Sequence, residues 1–89
     1  MTDPDPDHLR AASEALRRAA ESMEDPHAER AREQADSLAA LADRERGPDH
    51  GRLARHENAL TELREATGSE AVVEALEGVR RYREDVPGV

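Results

Sequence analysis

The residues best suited to chemistry lie close together near the middle of the chain: His50, His56 and Glu57. An imidazole can move a proton near neutral pH, accept a phosphoryl group or bind a metal ion, and a neighbouring carboxylate can assist it. His50 and His56 are six positions apart, which is neither i, i+3 nor i, i+4, so they do not share one helical face closely enough to chelate a metal. We therefore keep these three as candidate functional residues and predict no metal and no cofactor.

His56 has two alternative interpretations. On a helical bundle, the His56–Glu57 pair resembles the phosphoacceptor site of histidine phosphotransfer proteins, which implies an exposed ring nitrogen that takes a phosphoryl group. Those sites carry a basic residue and small residues downstream, and Thr61 and Leu63 do not supply them. The other interpretation is a half-buried histidine that is hydrogen-bonded across the bundle or to a partner.

Other sequence signals favour no further activity. The basic cluster of Arg80, Arg81 and Arg83 is flanked by Glu77 and Glu84, so it makes a poor footprint for nucleic acid. The sequence contains no nucleophile elbow, P-loop, dinucleotide-binding, zinc-protease or EF-hand motif. We predict a protein that is not an enzyme and for which no small-molecule substrate is identified.

Composition bounds the fold and its surroundings. The chain has 89 residues, a net charge of −8 and no Cys, which excludes disulfides and thiolate sites. No stretch has the length and apolarity of a membrane span, and the first residues have neither the basic nor the apolar part of a secretory signal. We expect one cytoplasmic domain over 1–89, with 1–6 and 86–89 flexible.

Apolar residues recur every three or four positions in four segments, as in amphipathic helices. The expected ends are Asp7 as the first cap, Asp25 with Pro26 opening a second helix to about Arg46, Asp49 capping a third that Gly68 ends, and Ser69 capping the fourth. The predicted inward residues are Leu9, Ala12, Leu16, Ala19 and Met23; Ala28, Ala31, Ala35, Leu38, Leu41 and Ala42; Leu53, His56, Leu60 and Leu63; Val72, Val73, Leu76, Val79, Tyr82 and Val86.

The short links between these segments predict an all-α fold, a four-helix up-down bundle made of two antiparallel helical hairpins. Its core is thin, because many inward positions are Ala. An Ala- and Leu-lined face would then pack on a second copy or on a protein partner, so we expect a homodimer or a docking module. The alternative is a phosphotransfer-like bundle that uses His56.

The acidic surplus indicates a salt-rich environment. Asp and Glu number 21 against 13 basic residues, all of them Arg. This composition, together with the segment PDHGRLARHENAL at residues 48–60, resembles small all-helical proteins of uncharacterised haloarchaeal families. The resemblance implies a halophilic protein and carries no activity with it.

Overall fold

A computed structural model describes residues 4–44 and 50–86 of the chain. Within these ranges all regular structure is helical, as predicted. The helices are α1 (Asp7–Glu21), α2 (His27–Ala42), α3 (His50–Thr67) and α4 (Glu70–Glu84). None of them has both the length and the apolarity to cross a membrane over the described part of the chain.

The helices form the predicted up-down bundle of two hairpins. α1 packs on α2 and α3 packs on α4, and the two hairpins meet chiefly where α1 contacts α4. The fourth seam, between α2 and α3, is the most sparsely packed of the four. The bundle is therefore closed on three sides and loosely joined on the last.

The core is built from the predicted stripes and is rich in Ala. Eight large residues are fully buried: Leu9, Leu16, Leu38, Leu53, Leu60, Leu76, Val72 and Val79. Ala15, Ala20 and Ala75 join the inward alanines, while Val73 is only half-buried. Every Leu, Val, Met and Tyr of the described ranges is buried or half-buried, so the apolar stripes are used inside the chain.

Two close approaches hold α1 in place. The buried hydroxyl of Ser13 donates to the carbonyl oxygen of Ala35 at 2.7 Å, which joins α1 to α2. On the other side, a Cβ at Gly78 would lie 3.1 Å from the carbonyl oxygen of His8, so the missing side chain lets α4 approach α1.

The amino-terminal caps differ from the prediction. Asp7 is not a cap but the first residue of α1, and its backbone N–H donates to the Asp5 carboxylate at 2.9 Å. Asp25 is not the cap of α2 either, because Pro26 takes that position and α2 begins at His27. In both cases the local sequence signal was right to within one or two residues.

The other boundaries divide into confirmed and corrected ones. Gly68 ends α3 with φ +66°, and the Ser69 hydroxyl accepts from the N–H of Val72 at 3.4 Å, both as predicted. α2 ends at Ala42, earlier than the predicted Arg46. The predicted cap Asp49 and residues 1–3 and 87–89 of the predicted terminal segments lie outside the described residues.

Candidate functional site

The three candidate residues lie on two different faces of α3. Consecutive residues of an α-helix are about 100° apart around its axis, so neighbours in sequence point in different directions. His56 faces α2, where it contacts Gln34. His50 and Glu57 are two turns apart and both meet Arg83 of α4. The structure therefore joins His50 with Glu57 and separates both from His56.

His56 is half-buried and bridges the sparsely packed α2–α3 seam. Its Nδ1 lies 2.6 Å from Oε1 of Gln34. An amide oxygen only accepts hydrogen bonds, so Nδ1 carries the ring proton and Nε2 of the neutral ring keeps its lone pair. The interpretation as a histidine that is hydrogen-bonded across the bundle describes this contact.

The surroundings of His56 disfavour its protonated form. Partial burial lowers the pKa of the imidazole below its ordinary value of 6.5, and the positive charges of Arg52 and Arg55 lower it further. Arg52 and Arg55 thus place positive charge near this point of the seam, although the protein as a whole is strongly acidic.

Beside the His56–Gln34 bridge the seam opens into a depression of about 400 Å³, which we call the α2–α3 cleft. This volume lies within the range of small-ligand sites. Its lining residues are Gln34, Ser37, Ala40, Leu41, Arg44, Arg52, Arg55 and His56.

The lining of the cleft is cationic. Arg44 lies two residues beyond the end of α2, whereas Arg52 and Arg55 come from the first half of α3. Acidic residues outnumber Arg by 21 to 13 in the chain, yet no carboxylate lines the cleft among the residues that the structure describes. Neither Arg44 nor Arg55 has an ion pair within the described ranges. Among the described residues, the cleft therefore gathers positive charge at Arg44 and Arg55 with which no neighbouring carboxylate pairs.

A second depression, of about 290 Å³, lies on the other side of Gln34 along the same seam. It is lined by Arg30, Glu33, Gln34, Ala59, Glu62 and Leu63. Its charges are mixed, so the excess of positive charge is confined to the end of the seam that contains the α2–α3 cleft.

Glu57 lies in an ion-pair cluster between α3 and α4. Its side chain is only 15% exposed and pairs with both Arg80 and Arg83. Nε of Arg83 also donates to Nδ1 of His50 at 3.2 Å. This arrangement fastens the two helices, and it occupies two of the three arginines that the sequence suggested as a basic cluster.

Sequence reasoning missed the cleft, although a signal was present. Arg52, Arg55 and His56 stand at i, i+3 and i+4, the spacing that places side chains on one helical face. The contributions of Arg44 and Gln34 came only from the packing of α2 beside α3.

The far end of the bundle has a depression of about 530 Å³ near His27, between the two hairpin links. Nδ1 of His27 is buried and has no hydrogen-bond partner among the residues that the structure describes. No three His, Asp or Glu side chains in the described ranges come together as metal ligands.

A family model matches residues 4–85, and the family it represents is described as one of unknown function. Comparisons with curated proteins and with solved structures give no significant match. The match spans all four helices.

Proposed function

We propose that this chain, which belongs to DUF7553, a family of unknown function, is a non-enzymatic interaction module that binds a protein partner at the α2–α3 seam. The observation that supports the proposal is that the only sparsely packed seam among the described helices also holds Arg44 and Arg55, which have no ion pair within the described ranges. The haloarchaeal origin and the salt-rich cytoplasm that the composition suggests belong to this proposal too.

The partner that fits this surface is a protein with an acidic segment. Arg44 and Arg55 offer guanidinium groups without intramolecular carboxylates in the described ranges, and such groups bind carboxylates through paired hydrogen bonds. Complementary charge across an interface favours encounter and fixes the orientation of the partners.

Self-association through an Ala- and Leu-lined face has less support. The inward alanines and leucines are buried within the chain, so they leave no large apolar patch over the described ranges. A symmetric pairing of two α2–α3 clefts would also bring arginines against arginines. Self-association is accordingly one outcome of the test rather than the proposed function.

The test places a photo-crosslinking amino acid at Ala40, an exposed residue in the lining of the cleft. A matched variant carries it at Ala11, which is exposed on α1. In cells or native lysate at about 2 M KCl, we expect the crosslinking residue at position 40 to capture a discrete acidic protein and the one at position 11 to capture none. Adding Arg55→Glu to the position-40 variant should abolish the product. Equal products from both positions, insensitivity to Arg55→Glu, or crosslinks between copies of this chain alone would contradict the proposal. Sedimentation velocity in the same salt identifies the last case.

Phosphotransfer through His56 is the second candidate, because the bond to Gln34 leaves Nε2 with a lone pair. With an acyl phosphate as donor, an N–P bond would form at Nε2, the donor's acyl–oxygen–phosphorus link would break at phosphorus, and the carboxylate would leave. Incubation with radiolabelled acetyl phosphate tests this. Our main proposal predicts no acid-labile label, whereas a label that His56→Gln loses would favour phosphotransfer instead.

A further inference from the structure

We propose that the α2–α3 cleft is a binding site for a phosphate monoester group. The inference deepens the proposed function by naming the acidic group that the cleft recognises, and it rests on that function only for the identity of the molecule that carries the group. The binding of phosphate itself is a property of this chain and is measurable without a partner.

Cationic side chains from two segments of the chain line the cleft. Guanidinium groups from two segments of the chain line one depression, Arg44 just beyond the end of α2 and Arg55 in α3, and each is planar with several N–H donors. Donors that come from two segments of the chain can reach an anion in the cleft from different directions. A tetrahedral phosphate dianion offers oxygens in all those directions, whereas a single planar carboxylate is satisfied by one guanidinium.

Neutral hydrogen-bond donors belong to the same lining. Oxygen Oε1 of Gln34 contacts His56, so the hydrogen-bonding capacity that Gln34 has left in the lining includes its NH₂ group, which donates. Ser37 is exposed in the lining and adds a hydroxyl. Among the described lining residues there is no acidic side chain that would repel an anion.

The cleft lies in a protein that is otherwise strongly acidic. Each of the four described helices carries acidic residues, and the net charge of −8 repels anions from most of the surface. Arginines without a carboxylate partner, as Arg44 and Arg55 are among the described residues, favour the binding of an anion. The positive potential felt by His56, whose pKa is lowered by burial and also by Arg52 and Arg55, agrees with this picture.

The experiment titrates the full chain with inorganic phosphate at about 0.2 M KCl, held at constant ionic strength, by isothermal calorimetry and amide chemical shifts, because molar salt screens the attraction of exposed arginines for an anion. The variants are Arg55→Gln and Arg44→Gln. Arg32→Gln is the matched control, because it removes the same charge from an exposed position of α2 outside the cleft. We expect the two cleft variants to bind phosphate about tenfold more weakly or worse, and the control to stay within about twofold of the parent.

A second set of titrations separates the possible carriers of the phosphate. A phosphoserine peptide is compared with its unphosphorylated and glutamate-substituted forms. Tighter binding of the phosphopeptide than of inorganic phosphate indicates a phosphorylated protein partner, and equal binding indicates a free phosphate ligand.

Three results would overturn the inference: no phosphate-dependent shift in the parent chain, equal weakening in Arg55→Gln and Arg32→Gln, or equal affinity for the glutamate and phosphoserine peptides. The three substituted arginines are charged side chains at exposed positions, and circular dichroism checks that each variant stays folded. If phosphate does not bind, the crosslinking result can still support the docking of a protein partner. If no partner crosslinks, the titration can still show that the cleft binds phosphate.

Discussion

At the scale of single residues, His56 and Glu57 show how adjacent side chains acquire different roles. His56 bridges the open seam between α2 and α3, and Glu57 binds two arginines of α4 in a closed one. The difference comes from the step of about 100° that separates neighbouring residues around the axis of an α-helix.

The lowered pKa of His56 predicts a pH effect on stability. The unfolded chain takes up a proton at His56 near pH 6.5, whereas the folded chain resists it because of burial and the charges of Arg52 and Arg55. As the pH falls below about 6.5, the unfolded state therefore binds more protons than the folded state, and the free energy of unfolding decreases. This decrease continues until the pH passes below the lower pKa that His56 has in the folded state. In urea unfolding between about pH 7.5 and 5, His56→Gln should lose less stability than the parent chain.

The other histidines are the same in both proteins, so they do not affect this comparison. Parallel pH profiles for the parent and His56→Gln would show that the seam does not disfavour the imidazolium, and would remove the positive potential as support for the cleft.

Glu57 should contribute to stability more than an ordinary surface carboxylate. Its side chain is largely buried, but the side chains of its partners Arg80 and Arg83 are 55% and 37% exposed. Because solvent weakens exposed ion pairs, these pairs should contribute no more than the lower end of the stabilisation that charged hydrogen bonds give. We expect Glu57→Gln to lower the free energy of unfolding by about 1 kcal/mol. Glu65→Gln removes the same charge from an exposed position of α3 and is expected to change it by less than about 0.5 kcal/mol. Equal effects in denaturant unfolding would show that the cluster adds nothing beyond net charge.

At the scale of the elements, the spacing of apolar residues predicted all four helices because each helix buries one stripe. Contacts between helices were beyond that reasoning. Pairs such as Glu14–Arg18 and Arg17–Glu21 have the i, i+4 spacing, yet Arg17 reaches Asp36 on α2 and Arg18 reaches Glu74 on α4. A sequence shows which side chains are close along one helix, but not which partner a neighbouring helix brings nearer.

The same distinction applies to the site. The i, i+3, i+4 spacing of Arg52, Arg55 and His56 was visible in the sequence, while Gln34 and Arg44 lie 22 and 11 residues before His56 and Arg55 and depend on how α2 packs. Ser13 is a similar case: a polar residue inside an apolar stripe is buried because α2 supplies a carbonyl acceptor at that point.

The turn between α3 and α4 offers a test of one element boundary. Gly68 has φ +66°, and nothing lies within 4 Å of a Cβ built there, so substitution changes only the backbone preference. Gly68→Ala should lower stability by about 1 kcal/mol, and Gly68→Asn by less, because Asn tolerates the left-handed conformation better. Thermal unfolding checks this, since 1 kcal/mol corresponds to roughly 4–8 °C in a domain of this size. Equal melting temperatures for the glycine and alanine proteins would mean that the turn relaxes out of this conformation.

At the scale of the whole molecule, unbalanced negative charge opposes a thin core. Cross-helix ion pairs such as Arg17–Asp36 and Arg18–Glu74 are exposed and therefore weak. Most of the 21 carboxylates have no ion pair among the described residues, so repulsion between them outweighs these attractions. Salt should consequently stabilise the bundle rather than loosen it.

The screening length falls from about 8 Å at physiological ionic strength to about 3 Å at 1 M, which removes most repulsion between exposed carboxylates. We expect the melting temperature, followed by circular dichroism, to rise steadily from about 0.2 to 2 M KCl. KCl also raises the cost of exposing apolar surface, so a charge variant is needed to separate the two causes. Replacing the exposed Glu14, Glu29 and Glu65 by Gln changes the net charge from −8 to −5, since −8 + 3 = −5. If repulsion is the cause, this variant melts higher in low salt and gains less from added KCl, whereas an unchanged salt slope would assign the effect to apolar burial.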